Sequence, residues 1–187
     1  MNKIKALKNI LCVHFKKSDL TRWMQEKNLN DSWDDRTRLI AKLIKNGDSV
    51  IDFGAGKMRL RNFIPADCRY TPVDIVAREE GMIEADLNKL PLPPLGTFDV
   101  SVFSGVLEYL HDAPSLIRAI QDVAPRIIVS YMILENLPKI IRRRSLGFSN
   151  DFSEDQFRGL FEKCGFEQVG RSVWKQHVIF DFQRTIA

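Results

Sequence analysis

The sequence predicts an α/β fold: a doubly wound, mostly parallel sheet of seven strands with an antiparallel hairpin at its C-terminal end. Three observations carry this. Short, strongly apolar runs alternate with stretches of helical periodicity, the pattern of strands covered on both faces by crossover helices. The first apolar run passes directly into a Gly-Ala-Gly turn, the kind of strand exit that lets a ligand approach the main chain. The last two β-like runs are separated only by residues 175–177, too few for a crossover, so they pair antiparallel. A chain of 187 residues, 44% hydrophobic and 28% charged, has the size of one domain with its own core. No repeat or low-complexity linker marks a boundary, so residues 1–187 are read as one domain, with 1–46 a helical cap and 47–187 the sheet-bearing core.

Each element has its own signal. Residues 1–18 hold Lys3, Lys5, Lys8, Lys16 and Lys17 and no acid, so the net charge of +4 resides there and the remainder is nearly neutral. Ile4, Leu7, Leu11 and Phe15 recur in this segment at helical spacing. Such a helix either makes peripheral contact with an anionic membrane or packs on its own domain; the second reading is preferred. With the basic residues confined here, no stripe for nucleic acid crosses the domain, and RNA binding is discounted. Ser32 is placed to cap a helix carrying Leu39, Ile40, Leu43 and Ile44 on one face, which Asn46-Gly47 ends. The first strand is residues 49–53; further strands are expected at 69–74, 82–85, 98–103 and 126–131. Pro114 suits the first turn of a helix whose Leu116, Ile117 and Ile120 share a face, and Pro125 stops it. Ser153 to Gln156 reads as a capping box, followed by Phe157, Leu160, Phe161 and Cys164 at helical spacing and closed by Gly165. Runs 168–174 and 178–184 complete the hairpin. Pro91-Leu92-Pro93-Pro94 matches PxxP and is read as shaping the loop before the fourth strand. No apolar run approaches the roughly 18 residues of a membrane span. Cys12, Cys68 and Cys164 stand far apart with no CxxC or His cluster, so no metal site is expected and a reducing, cytoplasmic setting is the default.

In such sheets ligands lie beyond the carboxyl ends of the strands at the switch point, which singles out Asp52-Phe53-Gly54-Ala55-Gly56-Lys57-Met58-Arg59. A dinucleotide fingerprint would need a third glycine where Arg59 stands, and a Walker loop would need four residues between its glycines. Residues 50–56 instead resemble motif I of the class I S-adenosylmethionine-dependent methyltransferases, with an acid two residues before the first glycine. The resemblance continues in order through Tyr70-Thr71-Pro72-Val73-Asp74, Ala85-Asp86-Leu87 and Phe98 to Leu110, and covers roughly residues 32 to 184. It implies a Rossmann-like sheet and S-adenosyl-L-methionine as cofactor. It also implies a binding set of Asp52, Gly54, Ala55 and Gly56 in the turn, Asp74 and Ile75 at the ribose hydroxyls, Asp86 and Leu87 at adenine, and Ser104 and Gly105 after the fourth strand. A carboxylate accepts two hydroxyl hydrogens at once, which suits Asp74 to a ribose. Many members carry a third glycine where this chain has Met58.

Methyl transfer from a sulfonium is an in-line displacement in which the protein chiefly positions the nucleophile. Where an oxygen acceptor needs a base, His111, beside Asp112 and near Glu108, is the candidate; the alternative makes His111 a loop residue and Asp112 a helix start. Trp33 and Arg36 either close over the site or, for Trp33, pack in the core, which is preferred. Phe103-Ser104-Gly105-Val106 lacks the Asp/Asn-Pro-Pro-aromatic loop of adenine amino methyltransferases and the Pro-Cys of cytosine enzymes. The run Lys139, Arg142, Arg143, Arg144 is read as a solvated helix face, with a weaker reading as part of a site for an anionic, carrier-linked sugar. The sequence therefore points to methyl transfer onto an oxygen or nitrogen of a small molecule, a sugar or glycan precursor among them. A noncatalytic scaffold with the same fold is the alternative, and an NAD-dependent oxidoreductase or an RNA methyltransferase ranks lower.

Overall fold

The structure, a computed structural model, describes residues 3–29 and 31–185. Seven strands form one sheet: β1 (Ser49–Phe53), β2 (Arg69–Asp74), β3 (Ile83–Glu84), β4 (Val100–Ser104), β5 (Arg126–Tyr131), β6 (Phe166–Trp174) and β7 (His177–Arg184). Their order is β3-β2-β1-β4-β5-β7-β6, parallel from β3 to β5 and antiparallel through β7 and β6. The expected fold class is borne out. The chain leaves β1 toward β2 on one side and returns to β4 on the other, so the switch point lies at the carboxyl ends of β1 and β4.

Alternation along β1 sorts the core into two layers. Ile51 and Phe53 face the layer built with helix α4 (Ala113–Ile120) and helix α6 (Glu154–Glu162), whose Leu116, Ile117, Phe157 and Phe161 are fully buried. Val50 faces the opposite layer with Val102, Ile128 and Ile40 of helix α3 (Asp34–Ala41). Each such side chain taken fully from water contributes about 2 kcal/mol. Asp112 caps α4 by accepting from the Ser115 amide, and the capping box of α6 forms as expected, Ser153 Oγ and Gln156 exchanging bonds with each other's backbone amides. Arg126 of β5 forks onto Asp181 of β7 at 2.9 and 2.7 Å, pinning the register of the antiparallel pair.

Four expectations change in detail. Ser32 does not cap α3: the helix starts after Trp33, which makes no side-chain cap bond, and Ser32 sits in a preceding 3₁₀ turn. Between β1 and β2 there is only a 3₁₀ turn, Arg59–Asn62, because Met58 adopts a left-handed backbone (φ +51°) that no helix continues through. The basic run at helix α5 (Ile140–Leu146) is a solvated face only in part: Lys139 and Arg142 are exposed. Arg143 is fully buried, bonded to Asp151 and to the carbonyls of Met132, Ile133 and Asn150, and Arg144 also grips Asp151. Last, helix α1 (Lys3–His14) does dock on α5, but through its polar side: Asn9, 3% exposed, donates to the Ser145 carbonyl at 2.7 Å. Its apolar stripe points to solvent. Among the described residues no helix is long and apolar enough to cross a membrane, and Cys12, Cys68 and Cys164 are unbridged.

Candidate active site

A cavity opens at the carboxyl ends of β1, β2 and β4, roofed by the N-terminal segment. Asp52, Gly54, Ala55, Gly56, Asp74, Ile75, Asp86, Leu87, Ser104 and Gly105 all line it, so the structure brings the whole expected binding set together. The turn after β1 is built for this approach. The amides of Gly54 and Ala55 both donate to the Val73 carbonyl, at 2.7 and 3.0 Å, tying the turn to the end of β2. Gly54 has φ +73°, and a β-carbon there would stand 2.5 Å from Val106. Gly105 mirrors it after β4: φ is +68°, and a β-carbon would stand 2.4 Å from the Arg36 guanidinium.

The three acids differ in what already holds them. Asp52 is buried and accepts the Tyr70 hydroxyl at 2.6 Å; burial pushes its carboxyl up to about 7, against the pull of that bond. Asp74 accepts from the Gly56 amide at 2.8 Å and the Val76 amide at 3.2 Å, and pairs with Arg78 at 3.0 Å. Arg78 also bonds the Trp23 carbonyl of the roof. Asp86 accepts from Ser18 Oγ at 2.9 Å and from the Asn88 amide at 3.1 Å. Both rim acids are thus laced to the N-terminal segment, Asp86 directly by Ser18 and Asp74 through Arg78.

The structure separates the two catalytic candidates. Glu108 is 1% exposed and does not line the cavity. Its Oε1 accepts from the Met132 amide at 2.9 Å and lies 3.7 Å from His177 Nε2, while burial raises its pKa. His111 does line the cavity. Its backbone amide donates to Asn88 at 2.8 Å, its ring lies near Asp86, and its Nε2 has no partner among the described residues; burial lowers its pKa, opposed by a bond to the Lys17 carbonyl. Asp112 is spent on capping α4.

Trp33 lines the cavity and is only half-buried, against the expectation that it joins the core. It leaves Arg36, 4% exposed, between two indoles, its guanidinium 5.5 Å from the Trp33 ring and 5.8 Å from the Trp174 ring. Arg36 donates to the Ser104 carbonyl at 3.0 Å, and its Nε lacks a partner among the described residues. The sequence reading of residues 1–46 as a helical cap assigns no residue before Trp33 to the cavity. Helix α2 (Leu20–Trp23) brings in Arg22, whose guanidinium covers the Trp23 and Tyr109 rings and whose Nε is buried without a partner among the described residues. Leu29 sits over Gly56 and Asn88 braces Ser18. Asp19, capping α2, was the one sequence signal for this part. Met58 faces away from the cavity, so the missing third glycine of the turn leaves it open.

Comparison with known proteins agrees with this geometry. A family model described as a methyltransferase domain matches residues 20–170. The chain belongs to that methyltransferase family. The resemblance to class I S-adenosylmethionine-dependent methyltransferases drawn from its motifs is thereby borne out. No curated protein matches the chain. Among solved structures, the fold is similar to the 1,6-didemethyltoxoflavin N1-methyltransferase of Burkholderia thailandensis, bound to 1,6-didemethyltoxoflavin and S-adenosylhomocysteine. The TM-score is 0.67 at 15% identity, covering 95% of this chain and 88% of that one. It is also similar to the magnesium protoporphyrin IX methyltransferase of Synechocystis, bound to S-adenosylhomocysteine, with TM-score 0.59, 19% identity and 82% of each chain covered. An O-methyltransferase family 2 protein of Planctomyces limnophilus in complex with apigenin gives TM-score 0.63 at 15% identity, covering 86% of this chain and 62% of that one. Among the described residues no group of three or more His, Cys, Asp and Glu side chains is placed to hold a metal ion.

Proposed function

We propose that this methyltransferase carries the methyl group of S-adenosylmethionine to an oxygen or nitrogen of an anionic small molecule, with a carrier-linked sugar as the acceptor class. The observation that supports it most is the grouping of Asp74, Asp86 and Arg36 around one cavity at the strand ends. The residues fit the cofactor. Asp74 offers paired carboxylate oxygens to vicinal hydroxyls, Asp86 with Leu87 offers an acceptor beside an apolar surface for a purine, and the Arg36 Nε suits a carboxylate. Bound there, the cofactor supplies an activated methyl on a positively charged sulfur.

What remains belongs to the chain. The roof of α1 and α2 excludes water, and the two-indole cradle fixes Arg36. His111 holds a neutral imidazole at physiological pH, because burial depresses its pKa, and so accepts a proton from an acceptor hydroxyl or ammonium at Nε2. Arg22, with its Nε unpartnered among the described residues and its guanidinium over the Trp23 and Tyr109 rings at the cavity wall, supplies a cation and aromatic surface for an anionic, ring-bearing acceptor. The Arg143 and Arg144 pair takes no part, being consumed by Asp151.

The test is release of S-adenosylhomocysteine with a panel of nucleotide-linked sugars and their free, neutral counterparts. Turnover with the linked sugars, lowered by about 100-fold in kcat in His111→Ala and raised in KM in Arg22→Met, is the expected result. Equal turnover with the neutral sugars refutes the anionic acceptor. Cofactor binding with no turnover on any acceptor refutes catalysis and leaves the scaffold reading.

A further inference from the structure

The geometry points to helix α1 as a docking surface for an anionic phospholipid membrane. An amphipathic helix at the edge of a domain ordinarily turns its apolar stripe inward. Here the arrangement is reversed. Ile4, Leu7, Leu11 and Phe15, spaced along one face, are 77%, 59%, 47% and 63% exposed, whereas the opposite side carries the buried Asn9 that bonds the Ser145 carbonyl of α5. Four large apolar side chains in one row are a patch, not the scattered exposure ordinary surfaces show. On α5, the helix on which α1 rests, Ile140 and Ile141 are also exposed, 45% and 68%.

Charge selects the occupant. Lys3, Lys5, Lys8, Lys16 and Lys17 fall in the first 18 residues with no acid among them. Of these Lys8 pairs with Asp19 at 2.9 Å, while Lys16 and Lys17 at the C-terminal end of α1 are exposed, as are Lys139 and Arg142 beside Ile140 and Ile141. An apolar row edged by lysines matches a surface that offers anionic headgroups above acyl chains. A second copy of the chain would bring the same cations against each other.

The position of α1 gives the docking a consequence. Asn9, Cys12 and Val13, on the side away from the apolar row, line the active-site cavity, so the helix lies between the cavity and the surface it would touch. Docking sets the roof of the cavity at the bilayer, where a lipid-carried acceptor would present itself. That consequence rests on the methyl-transfer reading; the docking does not.

Flotation of the full chain with vesicles of phosphatidylcholine alone, and of equimolar phosphatidylcholine and phosphatidylglycerol, tests it without any activity measurement. The expected result is recovery with the anionic vesicles only, abolished by high salt and reduced about tenfold or more in Leu7→Ser/Phe15→Ser. Because both side chains are exposed, the double variant keeps the circular dichroism spectrum and the melting shift with S-adenosylhomocysteine. Absence of flotation, equal flotation on neutral vesicles, or a dimer by sedimentation equilibrium that the double variant abolishes would each overturn the assignment.

Discussion

Replacing Gly105 by alanine probes how the active site is held at the end of β4. The backbone there has φ +68°, so alanine incurs the left-handed strain of about 1 kcal/mol or slightly more. It also places a β-carbon 2.4 Å from Arg36 Nη1 and 2.9 Å from its Cζ. An arginine tip would ordinarily move aside, but this one is 4% exposed and packed between Trp33 and Trp174, so it can yield only by giving up the Ser104 carbonyl. A charged hydrogen bond lost in a buried setting costs about 1.5–3 kcal/mol. The sum is about 2.5–4.5 kcal/mol, or a melting point lower by roughly 5–15 °C for a chain of this size. Gly96→Ala is the control, since Gly96 has φ +81° with nothing within 4 Å of the added carbon, and it should cost only the strain of about 1 kcal/mol. Urea unfolding of both variants at pH 7 reads the difference. Equal destabilisation within about 0.5 kcal/mol would show that Arg36 is free to move and that the cradle described here does not hold it.

Three further outcomes are expected. The Asp52 carboxyl is raised to about 7 in the fold, so the folded state keeps a proton that the unfolded chain releases from about pH 4 upward; wild type should lose stability relative to Asp52→Asn as pH rises through that window. The divergence is on the order of 4 kcal/mol, and parallel urea midpoints from pH 4 to 8 would contradict it. His177 runs the other way: its pKa is held down to about 3 by burial and by Arg36, so it contributes stability above pH 6.5 that is lost on acidification, and His177→Gln should flatten that acid limb in thermal melts. Ser153→Ala breaks the capping box of α6 and should lower stability by about 1 kcal/mol by urea unfolding, with cofactor affinity unchanged.

What was legible in the sequence follows from which signals are local. β1, β2 and β5 match their expected bounds because each is an apolar run closed by turn residues, and the α6 box forms because both of its partners lie within one turn of chain. The ten cofactor-side residues converge because each sits at or just past the carboxyl end of a strand in a parallel sheet, where topology alone places it on one rim. Orientation was not legible. The row Ile4, Leu7, Leu11, Phe15 has the same periodicity whether it faces a core or solvent, and only the Asn9 bond to α5 decides which. Glu108 reads as a catalytic candidate beside His111 and Arg143 as a solvated charge, yet each is enclosed by partners distant in sequence, Met132 and His177 for the one and Asp151 with three carbonyls for the other. Arg36, beside Trp33, meets Trp174 only when β6 is in place, so the cradle has no signature in residues 32–41.

The central claim, that this rim of acids holds S-adenosylmethionine, is tested most directly by melting the protein with S-adenosylmethionine, S-adenosylhomocysteine and NAD added separately, beside an Asp74→Ala variant measured against its own ligand-free melt. A ligand at about 100 times its Kd adds about 2.7 kcal/mol to the folded state, a rise of roughly 5–10 °C here. The expected result is that rise with both adenosyl ligands, none with NAD, and its loss in the variant. No rise with either adenosyl ligand at saturation, or a rise with NAD alone, would contradict the account.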